Sequence, residues 1–308
     1  MQTPRFVWIA LPFFACYTLA CNDDNDLSSQ KAAEGLQRAT WATAMIQQTR
    51  KVADPWLALP TDFHQNGDEV AEVAAAAFGD CAHVETNEEI DTQIYSWDIQ
   101  IDDNCEENTS ACSGSLRLDR IDETIELADG SDGNVLWIRL SDLDLTCADV
   151  PVQQGEILFR EVLLHRDDDP ADGTAGHELR VENLRYDAQD NETLAAENFG
   201  GNFYRTEDTI HAEEDDAGFD GVFISGNASF DDSDASRSWD VDLVDTALYA
   251  WSATPRGGTL NLRSVDGRYN FETTWIPLTE WSTRATIRSG KELWTACIAH
   301  DESKASCD

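Results

Sequence analysis

From Cys81 almost to its C-terminus the chain alternates apolar and polar residues with a period of two, and turn residues break the pattern every 10 to 15 positions. More than any other feature, this limits the possible folds, because a period of two is the signature of a strand with one dry face. Trp239, Val241 and Leu243 interleave with Asp240 and Asp242, and Leu260 and Leu262 interleave with Thr259, Asn261 and Arg263. Strands are expected near 95–101, 114–119, 124–128, 135–146, 155–166, 177–187, 202–213, 221–230, 238–249, 258–264, 268–275, 283–289 and 292–297, with no proline inside them. Asp266-Gly267, within Ser264-Val265-Asp266-Gly267-Arg268, suits the positive φ angles of a type I′ hairpin turn, and Ser289-Gly290-Lys291 marks a second hairpin.

Several of these strands slip phase midway. Leu136, Ile138 and Leu140 share one parity and Leu143 and Leu145 the other, so a β-bulge near Ser141 would restore a common apolar face. The same slip separates Val181 from Leu184 and Tyr186. Long, bulged, sequential strands predict an all-β fold: a long curved antiparallel meander, barrel-like or two-layered, with two N-terminal helices packed on it. The first helix spans Ser29 to Val52, capped by Ser28 or Ser29 and ended before Pro55, with Leu36, Ala39, Ala42 or Thr43, and Ile46 at helical spacing. The second fits Gly67 to Phe78 ahead of Gly79, with Val70, Val73, Ala74 and Phe78 on one face.

Residues 1–20 read as a lipoprotein signal peptide. Arg5 is their only charge, an apolar run extends from Phe6 to Ala20, and Leu19-Ala20 precedes Cys21, the expected lipidation site. Cys16 is a poorer candidate, plain secretion is the alternative, and about 15 apolar residues are too few to cross a bilayer comfortably. Residues 21–28 form a polar tether, 29–80 a helical segment and 81–308 one antiparallel β domain that no polar linker interrupts. The expected location is the bacterial cell envelope, lipid-anchored, periplasmic or at the cell surface.

With 60 Asp and Glu against 21 Lys and Arg, the formal charge is -39, and loss of Arg5 makes the mature chain one unit more negative. Such a chain repels nucleic acid and anionic headgroups. Apolar residues still make up 41%, enough to build a core, so the acidity does not imply disorder. Lysine is nearly absent, 4 against 17 arginines, and aspartate exceeds glutamate 37 to 23, a surface suited to a saline habitat or to cation binding.

Of eight cysteines, Cys16 leaves with the signal and Cys21 takes lipid. The remaining Cys81, Cys105, Cys112, Cys147, Cys297 and Cys307 are disulfide candidates in an oxidising compartment. Spacing favours Cys105 with Cys112, Cys297 with Cys307, and Cys81 with Cys147. A rival scheme joins Cys81 to Cys105 and Cys112 to Cys147. No C-x2-C pair supports a metal knuckle.

The lipobox, polar tether, Ala-rich helix, a Cys before the strand Trp97-Asp98-Ile99-Gln100-Ile101, a second Cys, and Cys112-Ser113-Gly114-Ser115-Leu116-Arg117-Leu118 follow one another in order. In this succession the chain resembles uncharacterised β-rich lipoproteins of myxobacteria and related marine bacteria. The resemblance covers most of the mature chain. It implies envelope location and a β-rich fold, and it brings no catalytic residues.

No cofactor is expected, and calcium is the one candidate, with Asp167, Asp169 and Asp172 as its best ligands in a carboxylate-rich turn that otherwise reads as a solvated hairpin turn. The acidic turns at Asp102-Asp103-Asn104, Asp129-Gly130-Ser131-Asp132 and Glu213-Glu214-Asp215-Asp216 fall at the same end of a meander, and Asp231-Asp232-Ser233-Asp234 at the other. His165 and His177 border one hairpin and could meet across it. No G-x-S-x-G supports serine catalysis. Trp97, Trp137, Trp251, Trp275, Trp281 and Trp294 would serve a sugar-binding face if exposed, and core packing is the competing role. The leading expectation is a non-enzymatic envelope lipoprotein with a structural or binding role. Its partners are the membrane, through the lipid, and a polysaccharide or envelope protein. A carbohydrate-binding module or polysaccharide-acting hydrolase is the alternative.

Overall fold

A computed structural model describes residues 28–59, 68–91, 94–102, 112–126, 132–147, 150–166, 169–187, 195–206, 221–232, 237–249, 255–279 and 282–299. The signal peptide with Cys21, the tether before Ser28, Cys105 and Cys307 lie outside them. Helix α1 (Ser29–Ala53) opens as expected at Ser28, whose hydroxyl accepts the Lys31 backbone N–H. Helix α2 (Asp68–Phe78) follows, and 3-10 turns at Asp54–Ala58 and Gly79–Cys81 close the two helices.

The rest is strand: β1 (Ala82–Asp91), β2 (Ile94–Ile101), β3 (Cys112–Glu126), β4 (Asp132–Cys147), β5 (Val150–Gln153), β6 (Glu156–Arg166), β7 (Asp169–Asp187), β8 (Ala195–Thr206), β9 (Gly221–Asp232), β10 (Arg237–Tyr249), β11 (Gly257–Ser264), β12 (Asn270–Thr279), β13 (Ser282–Ser289) and β14 (Glu292–Ala299). They form one antiparallel 14-stranded meander in chain order, except that β6 fits between β4 and β7 beside the short β5. Among the described residues β1 and β14 are edges and do not pair, so the sheet is curled rather than closed.

Both expected bulges are present. The β3–β4 register shifts opposite Ser141–Asp144, with Asp142 at φ 49, and β7 shifts against β8 between Val181 and Leu184, with Asn183 at φ 55. The slip returns Leu143 and Leu145 to the buried face that holds Ile138 and Leu140. Some expectations failed. β1 and β5 were not foreseen, and the separate runs 114–119 and 124–128 are one strand, β3. β8 begins seven residues before its expected start at 202, and Pro151, Pro170 and Pro277 stand inside strands. In the Asp266-Gly267 hairpin only Gly267 has positive φ, at 72°. The Gly267 N–H donates to the Ser264 carbonyl oxygen and the Ser264 N–H to that of Tyr269. The turn is therefore a four-residue loop and not type I′.

Helix α1 touches β4 and β6 as well as β11, β12 and β13, so the sheet curls around it. The expected single apolar face gives way, in the second half of α1, to enclosure: Ala42, Thr43 and every residue from Met45 to Arg50 are buried. Several polar groups carried inside are paired locally, although Gln48 Oε1 is buried with no hydrogen-bond partner. The Thr49 hydroxyl lies 2.6 Å from that of Tyr186, which donates to the Met45 carbonyl oxygen, and burial pushes the Tyr186 hydroxyl well above its ordinary pKa. Nearer its start the helix is tied down by Arg38 to Asp232 at 2.8 Å and by Arg237 to Glu34 at 2.9 Å. One core runs through helices and sheet together, with Trp56, Trp97, Tyr186, Phe159, Phe199, Trp239 and Phe271 at its centre.

The tightness of the wrapping can be tested at Gly35, where an added Cβ would lie 2.8 Å from the buried Phe271 ring. In an open helix Gly→Ala gains about 1 kcal/mol. Here Gly35→Ala is expected to lose about 1 to 2 kcal/mol through overpacking, read as a lower urea midpoint. A gain would show that the sheet does not clasp the helix.

Candidate functional site

Because partners across an antiparallel ladder point to the same face, the register assembles the solvent face of the sheet row by row. One row crosses the sheet from Ser96 through Asp119, Arg139, Leu158, Arg180, Asn202, Asn227, Asp242, Asn261 and Glu272 to Arg288. A second, two residues away, runs Gly200, Ser229, Asp240, Arg263 and Asn270. The two halves of this face behave differently.

Over β2 to β7, opposed charges close on each other. Asp119, fully buried, accepts from Ser96 Oγ at 2.6 Å, Arg117 Nε at 3.0 Å and Arg139 Nη2 at 2.6 Å. Glu178, 2% exposed, accepts from Arg160 and Arg180, whose guanidiniums lie 4.7 and 4.4 Å from the Trp137 ring on the same face. Trp137 is thereby buried outside the main core, and its Nε1–H donates to Glu123. For Asp119 and Glu178 burial pushes the carboxyl pKa up, but the hydrogen bonds and arginine charges outweigh it and hold both below the ordinary range.

Over β7 to β13 the same face sinks into an open groove of about 960 Å³. Its lining includes Glu182, Asn183, Asn198, Gly200, Asn227, Ser229, Asp240, Asp242, Asn261, Arg263, Asn270, Glu272 and Arg288, and no aromatic residue. The bulges at Val181/Leu184 and Glu197/Gly200 build one wall, with Asn183 and Asn198 at φ 55 and 54. Gly200 and Ser229 keep one row low. Asp240 stands opposite Arg263 and Glu272 opposite Arg288. Yet among the described residues none of these four makes an ion pair or side-chain hydrogen bond. Asn261 reaches Asp242 only at 3.4 Å, and Asn202 Oδ1, beside the groove, is buried with no hydrogen-bond partner.

The alternation of Asp240, Asp242, Thr259, Asn261 and Arg263 with apolar residues identified the strands that carry this groove. Its depth and the pairing of its rows depend on register, which no local pattern reports. Asp119, Glu178 and the Trp137 stack gave no signal beyond ordinary polar positions.

The other expected sites fall only partly within the described residues. Asp167 lies outside the described residues, while Asp169 and Asp172 belong to β7 rather than to a loop. Among the described residues no group of three or more His, Cys, Asp or Glu could hold a metal. The other acidic turns are only partly described: Asp102 contacts His83 at 3.3 Å and Asp231 accepts from Asn198 at 2.8 Å, while Asp103, Asp129 and Glu213–Asp216 lie outside. His165 and His177 do not meet, because the register pairs His165 with Gly173 and His177 with Glu161. Trp97, Trp137 and Trp275 are buried and Trp294 is partly buried, so they make no exposed sugar-stacking row; Trp251 and Trp281 lie outside the described residues. Among the described residues no helix is long and apolar enough to cross a membrane. No family model, curated protein or solved structure matches this chain.

Proposed function

We propose that the chain is a non-enzymatic envelope lipoprotein, tethered through Cys21, whose β domain binds its partner in the groove over β7 to β13. The observation that carries this reading is the contrast between the halves of one face. Opposed acid and base side chains close at about 2.6 Å over β2 to β7 but stay apart in the groove, where they remain available to a ligand. Asp240 and Arg263 are exposed, whereas Asp119 is buried against Arg139, so the groove's charges keep water that a ligand's polar groups can replace. A polysaccharide-acting hydrolase is the second reading, favoured by the carboxylates Glu182, Asp240, Asp242 and Glu272 in one recess. All four carboxylates are exposed, which counts against it, since a glycosidase's general acid needs a sheltered, apolar setting.

The anchor and the oxidising compartment belong to the same proposal. Cys112 stands directly opposite Cys147 in the β3–β4 ladder, and Cys81 sits beside Asp102, whose N–H donates to its carbonyl oxygen, three residues before Cys105. Both facts support the pairing of Cys81 with Cys105 and Cys112 with Cys147, leaving Cys297 for Cys307.

The test is a capture experiment with the mature protein extracted from membranes in detergent, offered envelope and polysaccharide fractions at low and high salt. Material retained by the wild type and released by Asp240→Ala/Arg288→Ala is the expected result. Equal capture by both proteins removes the groove from the function. Intact mass of the same preparation should show a diacylated Cys21 N-terminus and six hydrogens fewer than the reduced chain, whereas an unmodified Met1 with free thiols would remove the envelope reading.

A further inference from the structure

Resting on that reading, we infer that the groove ligand is a neutral polyhydroxylated chain, an oligosaccharide or polysaccharide without charged groups, laid across the strands rather than along them. Each sugar hydroxyl is at once donor and acceptor, so a surface that binds a run of them must offer both kinds of group side by side. The groove does this with acids and bases in opposed pairs. Asp240 faces Arg263 and Glu272 faces Arg288, with the amides of Asn227 and Asn261 between. A polyanion would meet Arg263 and Arg288 but be repelled by the carboxylates and by a chain whose net charge is -39. A polycation would leave the arginines facing like charge.

An extended peptide is the competing neutral polymer, and the geometry disfavours it. Peptides bind sheets by adding to a free edge and seating alternate side chains in apolar pockets. This groove lies in the middle of the sheet, where the ladders already use the backbone groups, and its lining is polar. From Asn202 to Arg288 the row crosses six strands, and at roughly 4.8 Å between neighbours the span is about 24 Å, room for several sugar rings. With no aromatic platform, each ring gains only hydrogen bonds, and affinity must grow with chain length.

The test is native affinity electrophoresis of the mature, detergent-extracted protein through gels containing a soluble neutral β-glucan, a soluble neutral mannan, or the polyanion alginate. Retardation by at least one neutral polymer, none by alginate, and little change between low and high salt are expected. Asp240→Ala and Arg288→Ala should each weaken the retardation about tenfold, the scale of one charge-assisted hydrogen bond. Glu72→Ala, exposed on α2, which packs beside β1, should leave it unchanged. If an alanine variant unfolds, Asp240→Asn tests the same group with its shape kept. Retardation that survives in the groove variants overturns the placement of the site. Failure of both neutral polymers, or preference for alginate, overturns the ligand class; if groove-dependent capture of envelope material persists in that case, the binding role stands and only the neutral glycan falls.

Discussion

Asp119→Ala is expected to cost about 3 kcal/mol of folding stability, the low end of the range for removing one partner of a buried ion cluster. The carboxylate is fully buried and closes four hydrogen bonds from Ser96, Arg117 and Arg139. The low end applies because the two arginine side chains are 28% and 32% exposed, so water can take up part of what the carboxylate gave them. Asp119→Asn keeps an acceptor and should lose about half as much. Urea unfolding at pH 7 measures both, and a loss under about 1 kcal/mol for the alanine variant would show that the cluster is surface decoration.

The same clamp fixes the response to acid. Asp119 and Glu178 are held below the ordinary carboxylate range in the folded protein, so folding favours their ionised forms. Their stabilisation is complete above the unfolded-state values of about 4 and is lost as pH falls through the lowered folded-state values. The wild type should therefore weaken steeply below about pH 4, and Asp119→Ala, having already lost its share, should weaken less. Equal acid sensitivity in the two proteins would contradict the clamp.

Gly114→Ala is expected to cost about 3 kcal/mol or more and to broaden the unfolding transition. Gly114 has φ +115, and an added Cβ would lie 2.1 Å from the backbone oxygen of Asp144. A backbone atom in a central ladder cannot move aside as a flexible side chain can, and alanine strongly disfavours that φ. The ladder would have to open where the β3–β4 bulge returns Leu143 and Leu145 to the core. Ser113→Ala, one residue away with an ordinary φ, should be close to neutral. Near-wild-type stability for Gly114→Ala would mean that the bulge is free to slide.

The bulges themselves were legible in the alternation of the chain, because a strand with one buried face must keep its apolar residues on a single parity. Leu140 and Leu143 break that rule in a way that only an extra residue can mend. The capped first helix was legible for a similar reason: Ser28 and the residues behind it carry local signals that need no partner. β1 and β5 escaped notice because β1 is rich in Glu and Asn and β5 is four residues with a proline, so neither alternates clearly. The paired histidines failed by a register offset of four residues along the β6–β7 hairpin. Turn residues predict that a hairpin exists far better than they predict which residues face each other across it.

The sequence alone determined the period of the chain, hence an antiparallel β fold with one wet face, and the net charge that repels polyanions. Both are sums over neighbours or over the whole composition and need no knowledge of what lies far along the chain. Tertiary structure alone decided that α1 would be enclosed, that Trp137 would be buried beneath two arginines on the outer face, and that acid and base would close over β2 to β7 yet stand open over β8 to β13. Those outcomes depend on register and curvature summed across many strands, where contacts join residues distant in the chain, and no local pattern records them.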